Sequence, residues 1–506
     1  MSATGSGSYV LALDQGTTTS RAIVFNRSGT PIALSQKPFR QIYPRPGWVA
    51  HDPEDIWLTQ IGAARDAISQ AQIKPSQIES IGVTNQRETT LLWDRRTGEP
   101  VSNAIVWQCR RSEGVCSELR ERGLEPVFRK KTGLLLDPYF SGTKLAWIFR
   151  EDPALLERAR KGEIAFGTVD SWIMYRLTGA HLCDATNASR TLLFDIRSRA
   201  WDDELLSILG VPRTVLPEVR PSSGDFGETK PEHFGSPVPI RGCAGDQQAA
   251  LFGQCCYSEG GVKNTYGTGC FALMNTGATP IDSKNGLLAT LAWDLGGAAG
   301  ASNSVAYALE GSVFMGGAVI QWLRDELGVI KDAAESESLA VSVKDSGGVY
   351  IVPAFTGMGA PHWDARARGA VLGLTRGSGK AALCRAALES IAYQSADLIS
   401  AMEADSGLRV DSIKADGGAS QNSFLMQFQA DLLGKPVIVP ETSETTALGA
   451  AYLAGLESGY WSSLADIKDN WKARRRFEPE FSDDKRADLS RGWSRAVAST
   501  LGYKPE

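Results

Sequence analysis

Asp14 follows the apolar run Tyr9–Leu13, and Gly16, Thr17, Thr18 and Thr19 separate it from a second apolar run, Ala22–Phe25. A carboxylate at the end of an apolar strand is costly to bury unless it is paired or binds a cation. A glycine turn lets the backbone come close to a ligand, and it can aim successive N–H groups and threonine hydroxyls at an anion. A hydrated magnesium ion beside a phosphate would suit such a carboxylate. The second half carries a matching tip, "NTYGTGCF" at 264–271, with Gly267 and Thr268 between two apolar runs. A third glycine turn, "DGGASQN" at 416–422, opens a helical pattern. A single Gly/Thr tip is most often only a turn. Two in corresponding places, with a third at a helix start, fit a nucleotide gripped from both sides of a cleft. Asp246, in "CAGDQQAALFGQ", stands beside Gly245 at a strand-to-helix junction, a place from which a carboxylate can act as general base on an alcohol. It is one of 58 acidic residues, so spacing alone does not single it out.

Other chemistries find little footing. "GSGK" at 377–380 ends like a P-loop, but Ala381 stands where Ser or Thr should hold magnesium and Leu374 where the first glycine belongs. No GxGxxG follows a strand. Eight cysteines without a CxxC pair, and only four histidines, give zinc little to work with. Reduced, mostly buried thiols are expected. A net charge of −5 leaves no electrostatic footprint for nucleic acid. The basic cluster "WKARRRF" at 471–477 reads as a solvated helix face or turn. The first ten residues have neither the charged nor the apolar part of a signal peptide, and no run of about 18 apolar residues exists. A cytoplasmic protein without a membrane span is expected.

The elements that must position these residues alternate between strands and helices. A chain of 506 residues predicts two large domains. Three short apolar runs joined by "GTTT" and "RSGT" predict an antiparallel meander. A helix should follow from Pro53, with Asp52 as its cap and Trp57, Ile61, Ala64 and Ile68 on one face. Residues 261–277 repeat the strand–tip–strand pattern, a long helix covers about 380–403, and 412–434 reads as strand, glycine turn, helix. The reading is an α/β protein of two related domains, 1–253 and 254–506, with the join near 250–262.

With these residues in view, the chain resembles the sugar and polyol kinase family, which shares the actin/hexokinase ATPase core. The likeness covers about residues 9 to 475 and is carried by "LALDQGTTTSRAIVF", "NAIVWQCRR", "NTYGTGCF", "VFMGGAVIQWLRD" and "GMGAPHWDARARGAVLGLTRG". "NQRETT", "DPYFSGTK" and "AGDQQAALFGQ" are similar to its glycerol-phosphorylating branch. The resemblance implies two duplicated ribonuclease H-like (actin/hexokinase-type) domains around a central cleft, polyol-binding in the first and nucleotide-binding in the second. It implies ATP-dependent phosphorylation of glycerol to sn-glycerol 3-phosphate, with Mg2+ as cofactor. Arg87, Glu88, Tyr139, Asp246 and Gln247 would bind hydroxyls, with Trp107 and Phe271 packed on the carbons. Thr17, Thr18, Thr19, Arg21, Gly267 and Thr268 would meet the phosphates, and Gly317, Gln321, Gly418 and Asn422 the adenosine end. Asp14 would face the metal, and Asp246 also, both through water, while Asp246 takes the proton of the attacking hydroxyl. Glycerol and ATP are the expected partners, in a homodimer or homotetramer. Residues 229–242 lack the Gly/Arg loop used for fructose 1,6-bisphosphate in some members, His233 reads as a surface histidine, and the tail departs from the pattern tied to a glucose-specific regulatory partner. Two rival readings remain: a kinase for another polyol or sugar, such as xylulose or erythritol, and an ATP-driven switch or scaffold.

Overall fold

The computed structural model describes residues 7–298, 304–364 and 366–503. β1 (Tyr9–Gln15), β2 (Thr19–Phe25) and β3 (Pro31–Pro38) form the expected antiparallel meander. Val10 to Leu13 are fully buried, which is why this run is continuously apolar rather than alternating: β1 is covered on both faces. α1 (Pro53–Gln70) starts where expected; the Asp52 side chain accepts from the Glu54 N–H and Pro53 takes the first turn. Its apolar stripe, Trp57, Ile61, Ala64 and Ile68, is buried. β4 (Ile78–Asn85) and β5 (Ile240–Gly245) add in parallel, giving the order β5-β4-β1-β2-β3. Between those two strands the chain makes a largely helical layer with its own apolar core, including α2 (Ser141–Glu151). α3 (Asp246–Gly253) leaves directly from β5.

The second sheet holds β6 (Val262–Tyr266), β7 (Cys270–Gly277), β8 (Leu288–Asp294), β9 (Val305–Val313), β10 (Ile413–Asp416), β11 (Val437–Pro440) and β12 (Ala473–Phe477). Its order is β8-β9-β7-β6-β10-β11-β12. The segment β9-β7-β6-β10-β11 repeats β3-β2-β1-β4-β5 pair for pair, antiparallel and parallel in the same places. This is the ribonuclease H-like arrangement, present twice. The second unit carries α4 (Ala318–Asp325), α5 (Ala333–Val341), α6 (Lys380–Ser406), α7 (Ser423–Leu433), α8 (Thr445–Glu457) and α9 (Asp483–Gly502).

α3 and α8 occupy equivalent places after the last parallel strand of each unit, and they pack on one another. A methyl group added at Gly449 would lie 1.8 Å from the Ala249 carbonyl oxygen, and one at Gly253 would lie 2.0 Å from that of Thr445. Only glycine allows backbones so close. Their apolar cluster draws Val10 and Ala12 from the first sheet, Leu273 from the second, and Ala447 and Ala451 from α8, so the two units share a core.

One expectation is corrected. Residues 473–477 of the basic cluster are neither helix nor turn but the edge strand β12, antiparallel to β11, with Ala473 to Arg476 exposed. Charged side chains on an edge discourage pairing with another chain, so the solvated surface was rightly expected and its backbone was not. All eight cysteines are free thiols and buried. Among the described residues no helix is long and apolar enough to cross a membrane.

Candidate active site

The strand ends of both sheets supply the polar residues singled out by the sequence. Arg87 and Glu88 follow β4, and Glu88 adopts φ +61°, a conformation uncommon outside glycine. Such strain is retained where surrounding contacts dictate it. Here they do. Glu88 is buried and accepts from Arg190 Nε at 2.7 Å. Arg87 is 2% exposed and forms a fork on Glu310, Nη1 to Oε2 at 2.6 Å and Nη2 to Oε1 at 2.9 Å. Arg190 Nη2 joins the same carboxylate at 3.0 Å. Burial alone would raise Glu310, but Arg190 and Arg87 overcome it and hold its pKa at about 2. Burial moves Glu88 the other way, upward, against the pull of Arg87 and Arg190.

Asp246 is the first residue of α3, where the helix dipole favours a negative charge. Its Oδ1 accepts from the Gln247 N–H at 2.8 Å and faces Arg87 Nε at 3.2 Å. Oδ2 makes no hydrogen bond among the described residues, and the side chain is 33% exposed. Gly245 makes room for this: a methyl there would strike Arg87 Cγ and Cδ at 2.7 Å. The Gly245 N–H is itself held by Thr186 Oγ1 at 2.9 Å, which ties the strand end to a buried hydroxyl.

The aromatic residues stand close by. Trp107 and Tyr139 meet edge to face with centroids 5.5 Å apart. Trp107 Nε1 donates to Thr17 Oγ1 at 3.1 Å, so the aromatic wall is tied to the first Gly/Thr tip. Burial raises Tyr139 far above the ordinary phenol range, so its hydroxyl stays protonated and can donate. Lys144 on α2 donates to the Tyr139 carbonyl at 2.5 Å. Phe271 and Gln247 are brought together by Lys263 of β6, which contacts the Phe271 carbonyl and Gln247 Oε1.

At the first tip, Gly16 N–H bonds Thr19 O at 2.9 Å, closing the turn, and Thr18 is exposed while Thr17 and Thr19 are half-buried. Arg21 is bound by Glu444 at the start of α8 and lies 4.0 Å from Asp14. Burial pushes the Asp14 carboxyl up to about 6; Arg21 opposes this, while Glu444 and Asp246 add to it. Its distant guanidinium leaves Asp14 short of countercharge, so its carboxylate is suited to a cation. Among the described residues no three His, Cys, Asp or Glu side chains form a metal cluster. The donor set therefore suits Mg2+, which keeps several waters and takes one or two carboxylates plus phosphate oxygens, rather than a caged metal.

Gly267, Thr268, Gly317, Gln321, Gly418 and Asn422 line one cavity of about 510 Å³, with Ile320, Arg324, Leu388 and Ala419. The four residues expected at the adenosine end thus share one cavity. Gly317 lies against the Gly267 carbonyl, where a methyl would come within 2.8 Å, and Gly417, at φ +84°, turns the chain over Tyr266. Asn422 caps α7 by accepting from the Leu425 N–H at 2.9 Å.

Four residues escaped the sequence reading: Arg190, Glu310, Lys263 and Glu444. Glu310 interrupts the apolar strand β9 as Asp14 interrupts β1, and Lys263 sits within the apolar start of β6, so the same signal of a charge in an apolar run marks both. Arg190 and Glu444 lie in polar segments and carry no local mark. His233 departs in part from a surface histidine: its ring packs edge-on against Trp57 and its Nε2 lies 3.0 Å from the Arg176 carbonyl.

Residues 9–253 match the N-terminal domain and 262–458 the C-terminal domain of the FGGY family of carbohydrate kinases. A glycerol kinase of Symbiobacterium thermophilum is 56% identical over 500 residues, 98% of this chain and 99% of that one. Another, of Paraburkholderia phytofirmans, is 57% identical over 497 residues and 98% of each chain. The crystal structure of Plasmodium falciparum glycerol kinase with ADP superimposes with a TM-score of 0.92 at 33% identity, covering 98% of both chains. With both domains matched in sequence and the whole chain matched in fold, this protein belongs to the FGGY family of carbohydrate kinases.

Proposed function

We propose that this protein transfers the γ-phosphoryl group of ATP to glycerol, giving sn-glycerol 3-phosphate and ADP, in the cytoplasm. One observation carries the assignment of the chemistry: Asp246, at the start of α3, is held through Oδ1 by Arg87 and the Gln247 N–H, while Oδ2 makes no hydrogen bond among the described residues and is left to take a proton. A small triol needs a partner for each hydroxyl and an apolar wall, and this set offers both. Arg87, Glu88, Tyr139, Asp246 and Gln247 take the hydroxyls; Trp107 and Phe271 cover the carbons. Thr17, Thr18, Thr19, Arg21, Gly267 and Thr268 hold the phosphates, and the cavity around Gly317, Gln321, Gly418 and Asn422 takes the adenosine. Residues 1–253 then form the polyol-binding domain and 254–506 the nucleotide-binding one. Assembly as a homodimer or homotetramer belongs to the same reading and is tested by sedimentation.

Phosphoryl transfer has a loose transition state, so catalysis rests on positioning and charge neutralisation. Asp246 Oδ2 accepts the proton of the terminal hydroxyl; that oxygen bonds to the γ-phosphorus, and the bond to the β–γ bridging oxygen breaks with its electron pair leaving on ADP. Asp14 and Asp246 would hold Mg2+ through water, and the ion would supply charge neutralisation on the phosphates. Arg21 exchanges Glu444 for a phosphate oxygen when nucleotide enters. General-base assistance is worth roughly 10²–10⁴ in rate. Asp246→Asn should therefore keep glycerol and ATP binding within about tenfold and lose turnover by that factor. The assay is coupled ADP release with glycerol, dihydroxyacetone, erythritol and xylulose. Near-normal turnover in the variant removes Asp246 as the base, preference for another acceptor removes glycerol as the substrate, and ATP turnover indifferent to any alcohol favours a switch.

A further inference from the structure

Lys263 is fully buried at the junction of the two domains, on the strand that leads into the second Gly/Thr tip. Its ammonium donates to three acceptors: Gln247 Oε1, Thr265 Oγ1 at 2.9 Å and the Phe271 carbonyl at 3.2 Å. In the glycerol reading two of those residues belong to the acceptor site, Gln247 on its polar side and Phe271 on its apolar wall. An ammonium has no lone pair and can only donate, so the atom of Gln247 that faces it is the carbonyl oxygen. The amide nitrogen must then point the other way. Gln247 Nε2 has no hydrogen-bond partner among the described residues, and Gln247 is only partly buried. A free glutamine could present either end to a hydroxyl; this one can present only N–H.

We propose that Lys263 is a positioning residue of the acceptor site, which makes Gln247 a hydrogen-bond donor to the polyol. The inference rests on the glycerol reading above. Burial draws the Lys263 pKa down to about 8, against the pull of Asp416, Asp246 and Glu310, so the ammonium is present at neutral pH. Its all-donor head is also the reason a neutral residue would not replace it: an amide or hydroxyl that donated to the Gln247 oxygen and a backbone carbonyl would carry an acceptor needing a donor of its own.

The test is a double-mutant cycle in steady-state ADP release, with Lys263→Met, Gln247→Ala and the two combined. Each single variant should raise the KM for glycerol about tenfold and leave the KM for ATP within about twofold. The combined variant should be no worse than Gln247→Ala, because the lysine acts through the amide it holds. Effects that multiply, or an unchanged glycerol KM in Lys263→Met, overturn the proposal. Should Lys263→Met fail to fold, Gln247→Glu decides: it keeps a partner for Lys263 but has no N–H, so its glycerol KM should match that of Gln247→Ala, and wild-type behaviour would overturn the proposal. Glycerol turnover by the unaltered protein is measured first. Its failure sinks the glycerol reading, whereas turnover with an additive cycle sinks the role of Lys263 alone.

Discussion

Glu310→Gln probes the junction of the two domains most directly. Glu310 comes from β9 of the second sheet, yet the three charge-assisted bonds it accepts come from Arg87 and Arg190 of the first domain, at 2.6, 2.9 and 3.0 Å. Its residue is 0% exposed. Glutamine keeps the shape but offers one oxygen, and its NH2 group faces the N–H of a guanidinium. Two routes give the cost. Removing one partner of a buried ion pair leaves uncompensated charge and costs about 3–5 kcal/mol. A carboxyl held at about 2 in the folded state, against 4.5 unfolded, contributes roughly 3 kcal/mol at neutral pH. The sign follows from the lowered pKa: this contribution is complete above about pH 4.5 and is lost as pH falls toward 2. For a chain of 506 residues melting as one unit, about 3 kcal/mol lowers Tm by about 3 °C, and by about twice that if one domain melts alone. The same change frees the Arg87 fork, so the glycerol KM should rise by tenfold or more while the ATP KM holds. Differential scanning calorimetry at pH 7 and initial rates at varied glycerol measure both. A variant with unaltered Tm and unaltered glycerol KM would falsify the buried cluster as the coupling between Arg87 and the second domain.

Other outcomes follow from single contacts. Arg87→Lys keeps the charge but loses the planar fork on Glu310, and the loss of one or two good hydrogen bonds to the polyol, at about 1–3 kcal/mol each, should appear as weaker glycerol binding in calorimetry; unchanged affinity would mean that Arg87 does not touch the acceptor. Asp397 on α6 accepts from Trp493 Nε1 at 2.7 Å, and burial raises its pKa from 3.8 to about 6. The folded state then binds this proton more tightly, so stability falls as pH rises from about 3.8 to 6, a cost of roughly 3 kcal/mol once ionised. Asp397→Asn, which can still accept from Trp493, should melt higher than the parent at pH 7.5 and level with it below pH 4; a lower melting temperature at pH 7.5 contradicts this. Gly449→Ala forces a methyl against the Ala249 carbonyl, and overpacking of about 1–3 kcal/mol or more should lower Tm. An unaffected Tm would mean that α3 and α8 can separate freely.

Local chemistry was readable wherever one residue type has few other reasons to be placed. The Gly/Thr tips, the Asp52 cap with Pro53, and a carboxylate at the junction of β5 and α3 all obey short-range rules: glycine for tight turns, a side-chain acceptor for an open helix end, a helix start for a negative charge. The repeat of strand and helix patterns made the duplication visible as well. The basic cluster was misread because its charge pattern says that a surface is wet and not which backbone carries it; pairing with β11 decides that.

The sequence by itself determined which residues turn and cap, since those roles depend on neighbours a few positions away. Only the tertiary structure decided that Glu310 closes the Arg87 and Arg190 pair from 223 and 120 residues away, that Glu444 holds Arg21 across 423, and that Lys263 reaches Gln247. Such partners are chosen by where two sheets bring their strand ends together. A buried charge must find its counterion there, and nothing in the residues flanking it says which one that will be.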